Sequence, residues 1–204
     1  MKFFVGGTDT GVGKTTMCAA LLRVLPTSYR YWKPVQTGDD DDTETVRRLS
    51  EVAAQRFFRP GYQFPTPVSP HLAAKLAGET IQAARLTLPD EPDLVVEGAG
   101  GLLVPYHDSL LQLDWVKDRE LSLLLVAEDR VGAINQVLLS VEACEKRHVR
   151  VLGVILNKGR AEVGNQATLQ KWTGLPVWKV PADVNPADSL KASGIELHLG
   201  DNRL

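Results

Sequence analysis

The sequence is poor in the features that mark secreted, membrane and nucleic-acid-binding proteins. Only two cysteines are present, Cys18 and Cys144, too few for a disulfide framework or a CxxC metal site. The apolar run at the N-terminus is too short for a signal peptide, and the longest one, residues 121–127, is too short to span a bilayer. A formal net charge of −2 gives no electrostatic reason to expect nucleic acid or a membrane as partner. We therefore expect a cytoplasmic protein.

Short apolar runs alternate with longer amphipathic stretches along the 204 residues. Strands are predicted at residues 3–5, 29–33, 94–96, 121–127, 149–156 and 177–180. Helices are predicted at residues 14–24, 43–56, 71–86, 134–147 and 163–172, with an irregular proline-rich segment at 57–70. Helices between buried strands imply parallel pairing and right-handed crossovers. The pattern predicts one α/β domain over residues 1–204, with a doubly wound, mainly parallel sheet of the P-loop NTPase type.

The segment at residues 7–15 (GTDTGVGKT) follows a predicted strand and opens a predicted helix, which is the setting of a P-loop. Its backbone N–H groups and the helix dipole attract phosphate oxygens, and Gly11 and Gly13 allow close approach. Lys14 offers a cation to the β- and γ-phosphates, and the Thr15 hydroxyl can bind Mg²⁺. The first glycine lies at position 7, whereas the common pattern places it at position 8. The loop predicts a nucleoside triphosphate and Mg²⁺ as ligands.

Charged residues follow other predicted strands, at the edge where a doubly wound sheet binds its ligands. Lys33 and Thr37 would face the γ-phosphate, although a surface lysine fits the spacing equally well. Four aspartates, residues 39–42, precede a helix; a solvated turn with an aspartate or Thr43 as N-cap explains most of them. Because Mg²⁺ needs only one or two carboxylates, at most one of the four is expected to touch metal.

Two further strand ends carry polar residues. Glu97 precedes a glycine-rich turn, residues 98–101, at a position of the Walker-B type. The strand before it is predicted to be buried, which makes a simple solvent-facing carboxylate less favoured. Asn157 closes another buried strand, where the residue alone favours a turn-forming role over contact with a nucleotide base.

These motifs occur in the order typical of the dethiobiotin synthetase family, which the sequence resembles over most of its length. The matching segments are residues 7–15 (GTDTGVGKT), 33–38 (KPVQTG), Asp42, 69–71 (SPH), 96–101 (VEGAGG), 132–135 (GAIN) and Asn157. The shifted first glycine of the loop is itself a trait of that family. The resemblance implies an ATP- and Mg²⁺-dependent ligase that carboxylates 7,8-diaminononanoate with CO₂ or bicarbonate. The products would be dethiobiotin, ADP and phosphate, formed through an N-carbamate and a carbamic-phosphoric anhydride.

The resemblance also implies a role for each matching residue, and a homodimer with the substrate at its interface. The residues beside the reacting groups would be Lys33, Lys14 and Thr10. The ATP contacts would be Gly11, Val12, Gly13, Lys14, Thr15, Thr16, Asp42, Glu97, Gly98, Ala99, Gly100, Asn157, Lys158 and Pro181. The Mg²⁺ contacts would be Thr15, Asp42 and Glu97. The diamine contacts would be Lys33, Thr37, Gly132 and Asn135, the last two supplied by the partner chain to the substrate carboxylate at a helix start.

Two other classes share parts of this pattern. An amidoligase of the cobyrinate-diamide type would carry a nucleophilic cysteine, and neither Cys18 nor Cys144 lies in such a setting. A ParA/MinD-like ATPase switch would carry a signature lysine early in its loop, where this sequence has Thr8 and Asp9. The switch is the main alternative to an enzyme.

Overall fold

The structure is a computed structural model that describes residues 1–159, 164–195 and 199. Its strands are β1 (Lys2–Gly7), β2 (Arg30–Trp32), β3 (Val35–Thr37), β4 (Tyr62–Phe64), β5 (Leu94–Gly101), β6 (Pro105–His107), β7 (Leu110–Leu111), β8 (Ser122–Glu128), β9 (Val151–Gly159) and β10 (Val177–Pro181). Its α-helices are α1 (Lys14–Val24), α2 (Asp42–Ser50), α3 (Pro70–Leu76), α4 (Gln112–Asp118), α5 (Ala133–Glu145), α6 (Asn165–Thr173) and α7 (Pro186–Ala192).

Six of the strands in the described residues form one parallel sheet in the order β10-β9-β8-β1-β5-β2. Side chains that alternate along each strand enter opposite cores. Phe3 and Val5 pack on the side of α1 and α7, whereas Phe4 packs on the side of α3, α4 and α5. Both faces are covered, as parallel sheets require. The predicted α/β, doubly wound, mainly parallel fold is confirmed.

β1 lies between β5 and β8, so the loop that follows it opens at the middle of the sheet. The carboxyl ends of β1, β5, β8 and β9 share one edge because all of these strands are parallel. Predicted site residues on three of these strand ends are therefore brought to one side of the molecule. In the described part of the chain, no helix is both long and apolar enough to cross a membrane.

Two predicted helices end earlier in the structure than the apolar periodicity indicated. The helix predicted over 43–56 ends at Ser50, where Glu51 takes a left-handed conformation with φ of 56°. A short 3₁₀ turn, Ala54–Arg56, follows it. The helix predicted over 71–86 ends at Leu76, and Gly78 is left-handed beyond it. Ile81 lies beyond that end and is buried in the core from a non-helical segment.

Other differences lie where local signals are weak. The glycine-rich turn expected at 98–101 is the end of β5, and β4 lies inside the segment expected to be irregular. The short helices α4 and α7 were not predicted. The last predicted helix, 163–172, corresponds to α6, although its first residue, Val163, lies outside the described residues.

Candidate active site

The phosphate loop joins β1 to α1 and contains two left-handed glycines. Gly13 has φ of 97° and lies directly before the first residue of α1, and Gly11 has φ of 77°. L-residues with side chains rarely adopt these angles, so glycine is required for the shape of the loop. The Lys14 ammonium donates to the backbone oxygens of Asp9, at 3.1 Å, and Gly100, at 2.8 Å. Lys14 thus ties the loop to the glycine segment at the end of β5.

A buried cluster of charges lies beside the loop, built from β5, α2 and the end of β2. The Lys33 ammonium lies 3.1 Å from Glu97 Oε1 and also contacts Asp42 Oδ2. The Thr15 hydroxyl lies 2.9 Å from Glu97 Oε1 and 3.0 Å from Asp42 Oδ1. Lys33 is only 3% exposed and Glu97 only 1%. Four residues predicted for the site from separate sequence segments therefore meet at one point.

Burial and neighbouring charges act in opposite directions on the two lysines of the site. Burial lowers the pKa of Lys14, and the carboxylate of Glu97 offsets this only in part. Burial alone would also lower the pKa of Lys33, but Glu97 and Asp42 lie so close that its pKa is raised. Lys33 is accordingly held as a cation at neutral pH.

The second oxygen of the Glu97 carboxylate points the other way, into the core. Glu97 Oε2 accepts a hydrogen bond from the Tyr31 hydroxyl at 2.9 Å. Burial, followed by the charge of Glu97, raises the pKa of Tyr31 well above its ordinary value. The buried Cys18 thiol neighbours the same carboxylate, and its pKa is also raised, mainly by burial.

Neighbouring aspartates of the acidic run, residues 39–42, have different roles. Asp41 is the N-cap of α2, and its side chain accepts from the Glu44 N–H at 3.0 Å. Asp42 turns instead toward Thr15 and Lys33. Gln36, almost fully buried, shapes the turn: its amide donates to Asp40 O at 2.6 Å, and its oxygen accepts from the Asp42 N–H at 3.3 Å.

The charged cluster of Lys33, Asp42 and Glu97 borders a cavity of about 560 Å³. Its walls come from the phosphate loop, the ends of β2, β3 and β5, and the segment before α3. They include Thr10, Gly11, Lys14, Thr15, Lys33, Gln36, Thr37, Asp40, Asp42, Pro67, Val68, Ser69, Pro70, Glu97, Gly98, Ala99, Gly100 and Val104. The predicted catalytic and metal-binding residues all border this one space.

Other residues expected to contact ATP lie elsewhere along the same sheet edge. Asn157, at the end of β9, donates from Nδ2 to Val12 O at 2.9 Å and accepts at Oδ1 from the Lys158 N–H. Lys158 is exposed and left-handed, and its ammonium lies 3.5 Å from Glu128. Pro181 ends β10, next in the sheet to β9. Thr16 is half-buried in the first turn of α1.

Gly132 and Asn135 are exposed at the start of α5 and, in the described part of the chain, do not line the cavity that contains Lys33. A second space, of about 500 Å³, lies between α5 and the phosphate loop. Its lining includes Asp9 and Thr10 as well as Leu103 and Leu139, which are exposed hydrophobic side chains. The start of α5 and Lys33 thus border different spaces within a single chain.

Sequence reasoning missed Gln112, a fully buried residue at the first position of α4. Its Oε1 accepts from the Ala99 N–H at 2.8 Å and from the Tyr106 hydroxyl at 3.1 Å, and its Nε2 donates to Gly101 O at 3.0 Å. Gln112 therefore bonds to the residue on each side of Gly100, and the Gly100 carbonyl oxygen accepts a hydrogen bond from Lys14. No motif contains Gln112, and its place among the leucines of residues 110–113 is the one signal that the sequence offers.

The fold and the site define a nucleotide-using α/β protein of the P-loop NTPase type. The structure aligns with the MinD protein of Pyrococcus horikoshii, solved with Mg-ADP, at a TM-score of 0.57 and 14% identity, covering 100% of this chain and 97% of that one. A ParA family ATPase of Chlorobium tepidum aligns at a TM-score of 0.55 and 14% identity, covering 98% and 96%. At such low identity these similarities concern the fold alone.

Sequence comparison identifies the family within this class of P-loop proteins. A family model described as an AAA domain matches residues 1–191. The ATP-dependent dethiobiotin synthetase BioD of Nitrobacter hamburgensis is 48% identical over 156 residues, which is 75% of this chain and 73% of that protein. BioD of Bradyrhizobium diazoefficiens is 40% identical over 188 residues, 88% of each chain. The chain belongs to the dethiobiotin synthetase family, and it is a ligase of biotin biosynthesis.

Proposed function

We propose that the protein forms dethiobiotin from 7,8-diaminononanoate, CO₂ and ATP through an N-carbamate and a carbamic-phosphoric anhydride. A carbamate oxygen forms a bond to the γ-phosphorus, and the bond from that phosphorus to the ADP oxygen breaks. The second amine then attacks the carbamoyl carbon and loses a proton, while phosphate leaves with the former carbamate oxygen. The observation that carries the proposal is the buried Lys33 cation in the cavity beside the phosphate loop.

The phosphate loop would hold the ATP triphosphate over the amino end of α1. The backbone N–H groups before α1 and the Lys14 ammonium supply positive charge to the phosphate oxygens. Lys14 is already held near the loop by its bonds to Asp9 and Gly100. The Lys14 ammonium would therefore need to move only a little for the γ-phosphate to replace those carbonyl oxygens as its hydrogen-bond acceptor.

The side chains of Thr15, Asp42 and Glu97 fit a magnesium site. The Thr15 hydroxyl lies within 3.0 Å of an oxygen of each of the two carboxylates, and Mg²⁺ takes oxygen ligands completed by water and phosphate. Within the described residues, no group of three or more His, Cys, Asp and Glu side chains could hold a metal alone. The site therefore suits a metal that arrives with the nucleotide. When bound, Mg²⁺ would offset part of the negative charge on the reacting phosphate.

Lys33 and Thr37 would receive the carbamate. An anionic carbamate must approach an anionic γ-phosphate, and a fixed cation between them lowers the repulsion more effectively in a buried site than in water. Lys33 has the charge and the burial for this task, and Thr37 and Thr10 border the same cavity. Positioning and charge stabilisation are then the main contributions of the protein.

The substrate carboxylate would be bound by Gly132 and Asn135 of a second copy in a homodimer. Both residues are exposed at an α-helix start whose N–H groups attract anions. The exposed Leu103 and Leu139, beside the space next to the phosphate loop, would become covered in such a dimer.

The adenine of ATP would lie at the ends of β9 and β10. Its neighbours there would be Asn157, Lys158 and Pro181.

Oxygen labelling tests the proposed route directly. The reaction is run for one turnover with freshly added C¹⁸O₂ and diaminononanoate, and the phosphate is analysed by mass spectrometry. Attack by the carbamate requires one ¹⁸O in each phosphate released, because the attacking oxygen stays with phosphorus. Dethiobiotin formed with unlabelled phosphate would refute the anhydride route.

A further inference from the structure

The two oxygens of the Glu97 carboxylate have separate surroundings. Oε1 faces the site, 2.9 Å from the Thr15 hydroxyl and 3.1 Å from the Lys33 ammonium. Oε2 faces the core and accepts from the Tyr31 hydroxyl at 2.9 Å. Glu97 is 1% exposed and Tyr31 is 0% exposed, so water does not compete for this bond. The Glu97 carboxylate is therefore held at Oε2 by the core, while Oε1 faces the cavity beside the phosphate loop.

The position of the Tyr31 hydroxyl is set by the sheet. Tyr31 pairs with Val95 in the parallel register of β2 and β5, and Glu97 follows two residues later on the same face of β5. The Tyr31 ring packs against Phe57, with 5.8 Å between ring centroids, and its carbonyl accepts from the Phe58 N–H. Backbone pairing and ring packing together leave the phenol little freedom to move away from Glu97.

We propose that Tyr31 is a positioning residue for the metal-binding carboxylate of Glu97. Its hydroxyl holds Oε2 and thereby turns Oε1 toward Thr15 and the Mg²⁺ that accompanies the nucleotide. This inference rests on the magnesium site of the proposed function. Partners that orient a metal-binding side chain commonly change metal affinity by 10- to 100-fold when they are removed.

Tyr31→Phe removes the hydroxyl and keeps the ring that packs in the core. A merely structural tyrosine would lower stability without changing metal binding. Tyr62→Phe is the matched control, because Tyr62 is also buried and its hydroxyl accepts from the Gln82 N–H at 3.1 Å, away from Glu97. Each variant thus loses one buried phenol hydroxyl and one hydrogen bond.

Mn²⁺ binding in the presence of ADP, measured from the electron paramagnetic resonance signal of free Mn²⁺, tests the inference without turnover. The Mn²⁺ Kd should rise about tenfold in Tyr31→Phe and stay at the parent value in Tyr62→Phe. ADP binding in EDTA should be unchanged in both. In a Glu97→Gln background, Tyr31→Phe should have no further effect on the Mn²⁺ Kd.

Three results with the variants would overturn the inference. The first is a parent-like Mn²⁺ Kd in folded Tyr31→Phe, and the second is an equal loss of metal-free ADP binding, which would indicate general damage to the site. The third is a full additional loss of affinity in the Glu97→Gln background. Because the diamine is absent from these assays, failure of dethiobiotin formation would not affect them. A parent protein that holds no Mn²⁺ with ADP would refute the magnesium site together with the role of Tyr31.

Discussion

The Lys33 ammonium lies 3.1 Å from Glu97 Oε1, and both side chains are almost fully withdrawn from water. A buried cation of this kind is costly unless carboxylates compensate it, and Asp42 supplies the second one. The same two carboxylates that hold Lys33 border the phosphate loop through Thr15. The charge that would receive a carbamate and the groups that would bind Mg²⁺ therefore form one coupled cluster.

Lys33→Ala should reduce turnover by about 100-fold or more, the size found when one preorganised charge-stabilising group is removed. ATP should still bind, because the phosphate loop and Lys14 are unchanged. Steady-state ADP release and nucleotide titration by calorimetry measure the two effects separately. Lys171→Ala, at an exposed position on α6, is the control and should match the parent. Full activity in Lys33→Ala would remove this lysine from the mechanism.

Asp42 and Asp41 should differ sharply although they are neighbours. Asp42→Ala removes a carboxylate from the site, so the Mg²⁺ concentration needed for half-maximal turnover should rise strongly. Asp41→Ala removes the N-cap of α2 and should lower the free energy of unfolding by about 1 kcal/mol, with turnover within about twofold of the parent. Magnesium titrations and thermal unfolding provide the comparison. Equal magnesium dependence in the two variants would contradict the assignment of Asp42.

Gly13→Ala should abolish nucleotide binding. An added Cβ at this position would lie 2.0 Å from Nδ2 of Asn157, a buried side chain that bonds to Val12 O, and the φ of 97° is unfavourable for alanine. Gly174→Ala is the matched control, because Gly174 is left-handed too but has open space around its Cβ position. That variant should lose stability only. Calorimetric titration with ADP distinguishes the two, and normal affinity in Gly13→Ala would show that the loop tolerates a side chain there.

Gln112→Leu should lower kcat about tenfold, in the range expected when a supporting hydrogen-bonded partner is lost. The change leaves the Ala99 N–H and the Gly101 carbonyl without their side-chain partner and frees the segment that holds Lys14. Gln166→Leu is the control, because Gln166 also donates to a backbone carbonyl, that of Val177, far along the chain from the glycine segment. A loss of stability without any loss of kcat would show that Gln112 has a structural role only.

Much of the site was predictable because its chemistry is encoded in short segments. Residues 7–15 form a strand–loop–helix corner whose glycines and lysine have local reasons to be there, and α1 has the bounds predicted, Lys14–Val24. The meeting of Lys33 with Glu97 followed from parallel strands that end at one edge. The choice of Asp42 rested on family resemblance, since four adjacent aspartates look alike until the cap at Asp41 fixes the start of α2.

The remaining features depend on tertiary contacts that a single sequence does not display. Tyr31 reaches Glu97 only through the pairing of β2 with β5, and Gln112 reaches Ala99 from a helix that was not predicted. The early ends of α2 and α3 lie close to the left-handed residues Glu51 and Gly78, and Ile81, beyond α3, still packs in the core. An apolar residue such as Ile81 is therefore buried as its hydrophobicity predicts, but it reaches the core from a non-helical backbone.

The most direct measurement is the release of ADP by the purified protein in mixtures that contain or lack each substrate. ADP should appear only when diaminononanoate and bicarbonate are both present with ATP and Mg²⁺, and in equal amount to dethiobiotin. Robust ATP hydrolysis without the diamine, stimulated by another protein or by DNA, would contradict the ligase and indicate an ATPase switch.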